Sequence, residues 1–389
     1  MASITRKRHK RKKLSKNKKT SHIKIIENNR AHNNSISEMT NTTKSNYIND
    51  ASENNKILVS FILGIYNAER TLRECLSSIF IQDFPKEKFE VIIVDGDSQD
   101  KTLNIVNEFM KRYNNIRLMR NSRKLSEGRG MSKDMGVEAA KGEIAIFLDH
   151  DNILLGKEWL NQILEPFEMD KEIMASQSLL QYKENDTYFL KYINSIGVED
   201  PFAIPYSLPA QIVLHPEKFN IIEKKYYLHQ LNKYNILYGG ANGCAFKKEV
   251  FKIIGGYTRD VDVFASMSEH LMKVAVPLKA RVYHKTASNM FSYMKKKGTY
   301  FYRFIDHEYE KKSFKWTQRG PGISGKIKFF LMIANNLSLI GHFFEAIKLI
   351  KKSGKLFWLL HPFYVFFMTL EYGLITLFKI KNFFRYQRK

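Results

Sequence analysis

An α/β fold with a mainly parallel central sheet is predicted for the middle of this chain, on two observations. Apolar, β-rich runs alternate with helical stripes between Ile57 and Leu148, and two of those runs stop at an aspartate, Asp95 and Asp149. Alternating strands and helices form parallel sheets covered by helices. Ligands of such sheets bind at the carboxyl ends of the strands.

The elements follow in order. Ile57 to Ile65 reads as a buried strand. Ala68 to Ile81 places Leu72, Leu76, Ile79 and Phe80 on one helical face. Phe89 to Val94 is a second strand. Lys101 to Tyr113 is a helix carrying Leu103, Val106, Phe109 and Met110 on one face. Ile116 to Met119 is a short strand, Met131 to Ala140 a helix, and Ile144 to Leu148 a strand. Trp159 to Phe167 reads as helical. The segment holding Pro201, Pro205, Pro209 and Pro216 reads as loops.

Charge divides the chain of 389 residues. The net charge is +24. Residues 1 to 24 carry 11 Lys/Arg and no acid, and residues 311 to 389 carry 15 Lys/Arg against Glu345 and Glu371. Those two segments account for the whole excess, so residues 25 to 310 are neutral. A nucleic-acid enzyme would carry its basic charge on the folded domain, so no nucleic-acid partner is expected. Basic ends instead suit an anionic membrane surface, at about 1 kcal/mol per juxtamembrane Lys or Arg. Residues 1 to 55 are polar and lack apolar periodicity, so a disordered basic tail is expected there. No apolar run follows Arg6 to Lys24, so no secretory signal is expected. Cys75 and Cys244 sit in apolar patterns and read as core thiols of a reducing compartment.

Leu356 to Phe378 holds one formal charge, Glu371, and is long enough to span a bilayer. Against spanning, a carboxylate near the centre of a membrane helix costs about 3 kcal/mol. Ile327 to Ile350 is less apolar and suits an interfacial helix. The expected organisation is therefore a basic tail over 1–55, an α/β domain over 56–310 and a basic, apolar helical region over 311–389. The chain is expected to be membrane-associated, with that domain cytoplasmic.

Three Asp-x-Asp pairs occur, at Asp95/Asp97, Asp149/Asp151 and Asp260/Asp262. Asp149 and Asp151 follow directly on an apolar strand. Two carboxylates there repel unless a cation lies between them. Oxygen ligands suit Mg²⁺ or Mn²⁺, which commonly share one or two carboxylates with substrate phosphates.

The stretch from Leu58 to Leu160 resembles the catalytic core of glycosyltransferase family 2. The resemblance rests on five motifs in order: Gly64-Ile65-Tyr66-Asn67-Ala68-Glu69; Ser78-Ile79-Phe80-Ile81-Gln82; Val94-Asp95-Gly96-Asp97-Ser98-Gln99-Asp100-Lys101-Thr102; Ser132-Lys133-Asp134-Met135-Gly136; and Ala140-Lys141-Gly142-Glu143 with Phe147-Leu148-Asp149-His150-Asp151. It implies the GT-A fold and a nucleotide-sugar donor, with a donor-binding half over 56–155 and an acceptor half over 156–310. It also implies roles for single residues. Asp95 would bond the nucleotide base, with Asn67, Glu69 and Asp97 lining the donor pocket. Asp149 would face the ribose and metal, and Asp151 would bind Mn²⁺ or Mg²⁺. Lys133 stands where the family has Arg, and would meet the diphosphate as a point charge.

Gly255-Gly256-Tyr257 is similar to the family segment that precedes its catalytic Glu-Asp pair. This chain departs from that pair, with Ser268-Glu269-His270. Glu269 or His270 is therefore expected as the base. An imidazole titrating near pH ~6.5 is competent near neutrality. His284 resembles a further metal ligand of some members. Met294-Lys295-Lys296-Lys297-Gly298-Thr299-Tyr300 resembles a basic loop that closes over the donor. The resemblance thus implies an inverting, metal-dependent transfer of a sugar to a lipid-linked or glycan acceptor. Two other readings are a membrane-bound scaffold of the same fold that has lost its base, and a sugar-phosphate nucleotidyltransferase. The second would need a Gly-rich phosphate loop after the first strand, and nothing of that kind follows Ile57 to Ile65.

Overall fold

A computed structural model of the chain describes residues 57–123, 126–127, 129–198, 200–234, 236–286, 289–307 and 322–386. The basic tail expected over 1–55 lies outside the described residues. In chain order the elements are β1 (Val59–Ile65), α1 (Leu72–Phe80), β2 (Phe89–Asp95), α2 (Thr102–Arg112), β3 (Ile116–Arg120), α3 (Ser132–Ala139), β4 (Ile144–Leu148), β5 (Asn152–Leu155), α4 (Trp159–Met169), β6 (Ile173–Gln177) and β7 (Leu179–Leu180). There follow α5 (Tyr188–Ile196), α6 (Leu208–Leu214), β8 (Asn220–Ile222), β9 (Tyr226–Gln230), β10 (Asn242–Lys247), α7 (Glu249–Ile254), α8 (Asp260–Glu269), β11 (Lys273–Pro277) and β12 (Arg281–His284). Four helices close the chain: α9 (Met290–His307), α10 (Gly322–Ser338), α11 (Ile340–Ser353) and α12 (Leu360–Tyr386).

A nine-stranded sheet runs β3-β2-β1-β4-β10-β6-β11-β9-β8, and a small sheet runs β5-β12-β7. Pairing is parallel through β3, β2, β1 and β4 and again between β6 and β11. β10 enters antiparallel between β4 and β6, and β8, β9 and β11 pair antiparallel. The parallel order expected from the sequence therefore holds for the donor half. Residues 156–310 form the mixed part of the sheet: β8 and β9 are joined by a short turn, whereas β10 reaches its place between β4 and β6 after α5 and α6.

Alternation along the strands makes two cores. Val59, Phe61, Leu63 and Ile65 face a cluster with Leu72, Leu76, Ile79, Trp159 and Ile163. Ile62 faces the other side with Val137, Phe251, Val263 and Phe264. Side chains on opposite faces of one strand thus serve α1, α2 and α4 on one side and α3, α7 and α8 on the other. Each fully buried Phe, Leu or Ile contributes about 1.5–3 kcal/mol relative to exposure. Both cysteines are buried, one in each core, as expected.

Motif residues hold these layers together. The Gln82 side chain donates to the Ser78 and Gly156 carbonyls and accepts from the Leu160 amide at 3.0 Å, tying α1 to α4. Gly136 lies against Ile62, where a Cβ would collide with the Ile62 side chain.

A third apolar cluster joins α5 to the closing helices. Phe189, Tyr192, Ile193 and Ile196 pack with Tyr293, Met332, Leu349, Trp358, Tyr364, Val365, Met368 and Tyr372. The closing helices belong to the same compact unit as the sheet among the described residues. The 294–300 segment, expected as a basic loop, lies inside α9. The proline segment is also more ordered than expected: Ser207 caps α6, its side chain accepting from the Ala210 amide at 3.3 Å.

The apolar stretch 356–378 is a short 3₁₀ turn followed by α12. One face of α12 is buried (Tyr364, Val365, Met368, Tyr372), and the other exposes Phe363, Phe367, Leu370, Leu374 and Leu377. Among the described residues no single helix is long and apolar enough to cross a membrane; α10 and α11 together meet the length and composition as a pair bent by 68°. The break falls at Leu339, which has a left-handed φ of 63°.

Candidate active site

The loops after β1 and β2 build the first part of the site. Asn67 and Asp97 both adopt left-handed backbone, φ 47° and 69°, which Asn and Asp tolerate better than most residues. That geometry turns the chain back, and side chains lock it. Asp95, 3% exposed, accepts from the Asp97 and Ser98 amides at 3.0 Å and from the Ser98 hydroxyl at 2.5 Å. Asn67 Oδ1 accepts from the Gln99 amide at 2.9 Å, and Glu69 accepts from the Lys101 amide at 3.0 Å. Asp97 pairs with the exposed Arg120. The four residues expected to line a donor pocket are thus brought together at the carboxyl ends of neighbouring parallel strands.

The end of β4 supplies the second part. Asp149 donates its amide to the Ala241 carbonyl at 3.3 Å, and its carbonyl accepts from Asn152 at 3.0 Å. The ring of His150 bonds the Thr71 hydroxyl at 2.8 Å, fixing the turn to the start of α1. Asp151 Oδ2 lies 3.2 Å from His284 Nε2. Both lie on facing segments, because β12 pairs antiparallel with β5 and sets His284 opposite Asn152. Asn194 on α5 clamps the His284 backbone, accepting from its amide at 3.0 Å and donating to its carbonyl at 3.1 Å. An oxygen and an imidazole nitrogen 3.2 Å apart are spaced as two ligands of one divalent ion with bonds of about 2.1 Å. Asp151 and His284 therefore fit a Mn²⁺ or Mg²⁺ ion, with Asp149 alongside.

Lys133 is not the surface lysine its sequence context allowed. It is 1% exposed, with its ammonium 3.2 Å from Asp149, 3.2 Å from Glu127 and 3.8 Å from Asp260. Burial alone would lower its affinity for a proton, but three carboxylates raise its pKa above the usual lysine value. Burial also raises Asp149, against the pull of Lys133 and with the repulsion of Asp151 and Asp260. Glu127 is pushed up to about 7 by burial and by Asp260, opposed by Lys133.

Asp260 begins α8. Its Oδ2 accepts from the Ala241 amide at 2.9 Å and its Oδ1 from the Tyr257 hydroxyl. A cavity of about 280 Å³ opens beside it, lined by Phe202, Tyr206, Tyr238, Gly240, Arg259 and Asp262 among others. Neighbouring Asp134 is buried and accepts from Arg129, Gly130 and Tyr257, pinning three segments around Lys133.

Glu269 and His270 are not brought to this site. They are exposed at the far end of α8, roughly 13 Å along the helix from Asp260 at ~1.5 Å per residue. The Gly255-Gly256-Tyr257 segment leads within three residues to Asp260, so the acid at the cluster is the first of the Asp260/Asp262 pair. The family resemblance pointed to the later Glu269-His270, whereas the turn after α7 brings the chain to the site earlier, at Asp260. Glu127 carried no motif signal, and only its placement beside Lys133 identifies it.

Residues 60–254, half of the chain, match the family model for glycosyl transferase family 2. The poly(ribitol-phosphate) beta-glucosyltransferase of Bacillus spizizenii is 35% identical over 140 residues, 36% of this chain and 20% of that one. Glycosyltransferase AglE of Haloferax volcanii is 34% identical over 93 residues, 24% of this chain and 30% of that one. The chain therefore matches less than a third of the length of either relative. A mannosyltransferase from Pyrobaculum calidifontis, solved with GDP-Man and Mn²⁺, has a similar fold, with a TM-score of 0.51 at 16% identity over 83% of this chain and 86% of that one. With the family model covering half of the chain, from β1 to the end of α7, this chain belongs to glycosyl transferase family 2.

Proposed function

We propose that the chain is an inverting glycosyltransferase that moves a sugar from a nucleoside-diphosphate donor to a hydroxyl of a lipid-linked or glycan acceptor. The observation that carries this reading is the row Asp151, Asp149, Lys133, Asp260. It runs from Asp151, which with His284 is spaced as a pair of metal ligands, to a carboxylate beside the cavity.

In this reading Asp95, with Asn67, Glu69 and Asp97, holds the nucleotide base and ribose. Asp149, Asp151 and His284 hold Mn²⁺ or Mg²⁺. When bound, that ion acts as a Lewis acid on the departing diphosphate. Lys133 stabilises the donor side as a buried point charge. The acceptor hydroxyl enters through the cavity, and Asp260 accepts its proton as general base, which contributes about 10²–10⁴ in rate. This moves the base from Glu269 or His270 to Asp260.

The closing helices support this reading of the acceptor and the location. Tyr372 on α12 donates to Asp200 at 2.9 Å and stacks on Phe202, with centroids 5.5 Å apart, and both of those residues line the cavity. The same helix layer exposes Phe330, Leu331, Ile340, Phe344, Leu374 and Phe378. An apolar surface of this kind suits the interfacial zone of an anionic membrane. We place the chain on such a surface, with its catalytic unit cytoplasmic, where a lipid-linked acceptor is presented next to the cavity.

A thermal-shift screen with UDP-, GDP- and dTDP-sugars, with and without Mn²⁺, tests the donor half of this reading through ligand linkage. A metal-dependent rise with one nucleotide class is expected. No rise with any of them would overturn it.

A further inference from the structure

Outside the active site, one cluster of metal-ligating side chains stands apart. His342 and Glu345 lie one turn apart on α11, and His361 lies at the start of α12; one ligand atom from each falls within 4.8 Å of the others. Glu345 Oε2 is the hub, 2.9 Å from His342 Nδ1 and 3.1 Å from His361 Nε2. The two imidazole rings stand perpendicular, at 87°, with centroids 5.0 Å apart. His361 is fully buried and His342 is 8% exposed, while Glu345 keeps one side toward solvent.

Outer hydrogen bonds hold both rings. Asn336 donates its amide to the Thr369 hydroxyl at 3.1 Å, and that hydroxyl donates to the Val365 carbonyl at 2.7 Å. The Asn336 oxygen is thereby turned toward His342 Nε2, 3.0 Å away, while Asn335 Nδ2 lies 3.3 Å from the same nitrogen. In the tautomer that donates from Nε2 to Asn336, the His342 Nδ1 lone pair faces the Glu345 carboxylate. His361 also has a partner for each ring nitrogen, with Nδ1 2.8 Å from the Tyr192 hydroxyl and Nε2 toward Glu345. Histidines that bind metal characteristically direct the remote ring N–H to such a partner.

We propose that His342, Glu345 and His361 bind a zinc ion that fastens α11 and α12 to the catalytic unit. Two imidazoles and a carboxylate are a zinc donor set, and bonds of about 2.0 Å put tetrahedral ligands roughly 3.3 Å apart, close to the 2.9 and 3.1 Å that separate Glu345 Oε2 from the two rings. The site also touches the active site through α5. Tyr192 faces His361, and two residues on, Asn194 clamps His284. Zinc here would hold the helix that orients a residue of the candidate catalytic centre.

The test is metal analysis of the full chain after zinc loading and gel filtration, on wild type, D151N and the double variant H342Q/H361Q. The expected result is about one retained zinc per chain in wild type and in D151N, and close to none in the double variant. Added zinc should also raise the melting temperature of metal-stripped wild type. That second readout stands even where the double variant fails to fold. Wild type that retains no zinc and shows no thermal shift would overturn the proposal. Zinc retained by wild type but lost in D151N would overturn it as well, by assigning the ion to the active site. Donor binding is read separately, so failure here leaves the transferase reading intact.

Discussion

The Lys133 ammonium lies 3.2 Å from Asp149 and 3.8 Å from Asp260, so one buried cation bridges the strand end after β4 and the start of α8. Removing it leaves three carboxylates facing one another. Lys133→Met should destabilise the chain by about 2–3 kcal/mol, below the ~3–5 of a fully buried pair because Asp149 and Glu127 keep contact with solvent. Urea denaturation checks this. A loss within experimental error of zero would show that the carboxylates relax apart at no cost.

Glu127 gives the site a pH dependence with a definite sign. Its folded pKa is raised from 4.5 to about 7. The folded state therefore holds this proton more tightly than the unfolded state does. The stabilisation is fully present below about pH 4.5 and is lost as pH rises through about 7. Glu127→Gln should flatten that part of the profile of melting temperature against pH. Parallel profiles for variant and wild type would refute the assignment.

Gly256 sits at φ 106°, and the Arg129 guanidinium occupies the space where a side chain would start. Gly256→Ala should cost about 1–3 kcal/mol from backbone strain alone. Arg129 is flexible and exposed, so it can withdraw. The cost should therefore persist in an Arg129→Ala background, as measured by a double-mutant cycle. Full rescue there would mean that the clash, not the backbone, sets the penalty.

The exposed apolar face of α10 and α11 should carry membrane binding. Wild type is expected to float with vesicles containing anionic lipid, and the double variant F330D/F344D to remain with the soluble fraction. Carbonate should release the wild type, as suits a helix pair lying in the interface. Retention after carbonate would instead indicate insertion of the bent pair.

Much of the donor half was legible in the sequence because its information is local. The strands at Val59–Ile65, Phe89–Asp95 and Ile144–Leu148 announce themselves by apolar runs that end at Asp95 and Asp149. The acceptor half depends on tertiary placement. β10 joins the sheet antiparallel between β4 and β6, which no periodicity in Asn242–Lys247 reveals. Lys133 was legible as a charge for the diphosphate, but its burial among Glu127, Asp149 and Asp260 was not. Asp260 was visible only as one of three similar acid pairs. What separates it is its hydrogen bond from Ala241, the residue just ahead of the strand that pairs with β4. The 356–378 stretch was apolar enough to suggest a span, but half of that apolarity packs on α5 and α9.

The placement of the base on Asp260 is the claim on which the proposed chemistry turns. The direct measurement is the rate of sugar transfer by D260N, E269Q and H270A, each at saturating donor and Mn²⁺. The account predicts that D260N falls by about 10²–10⁴ while the other two stay within about twofold of wild type. Near-normal transfer by D260N, or loss of transfer in E269Q or H270A, would contradict it.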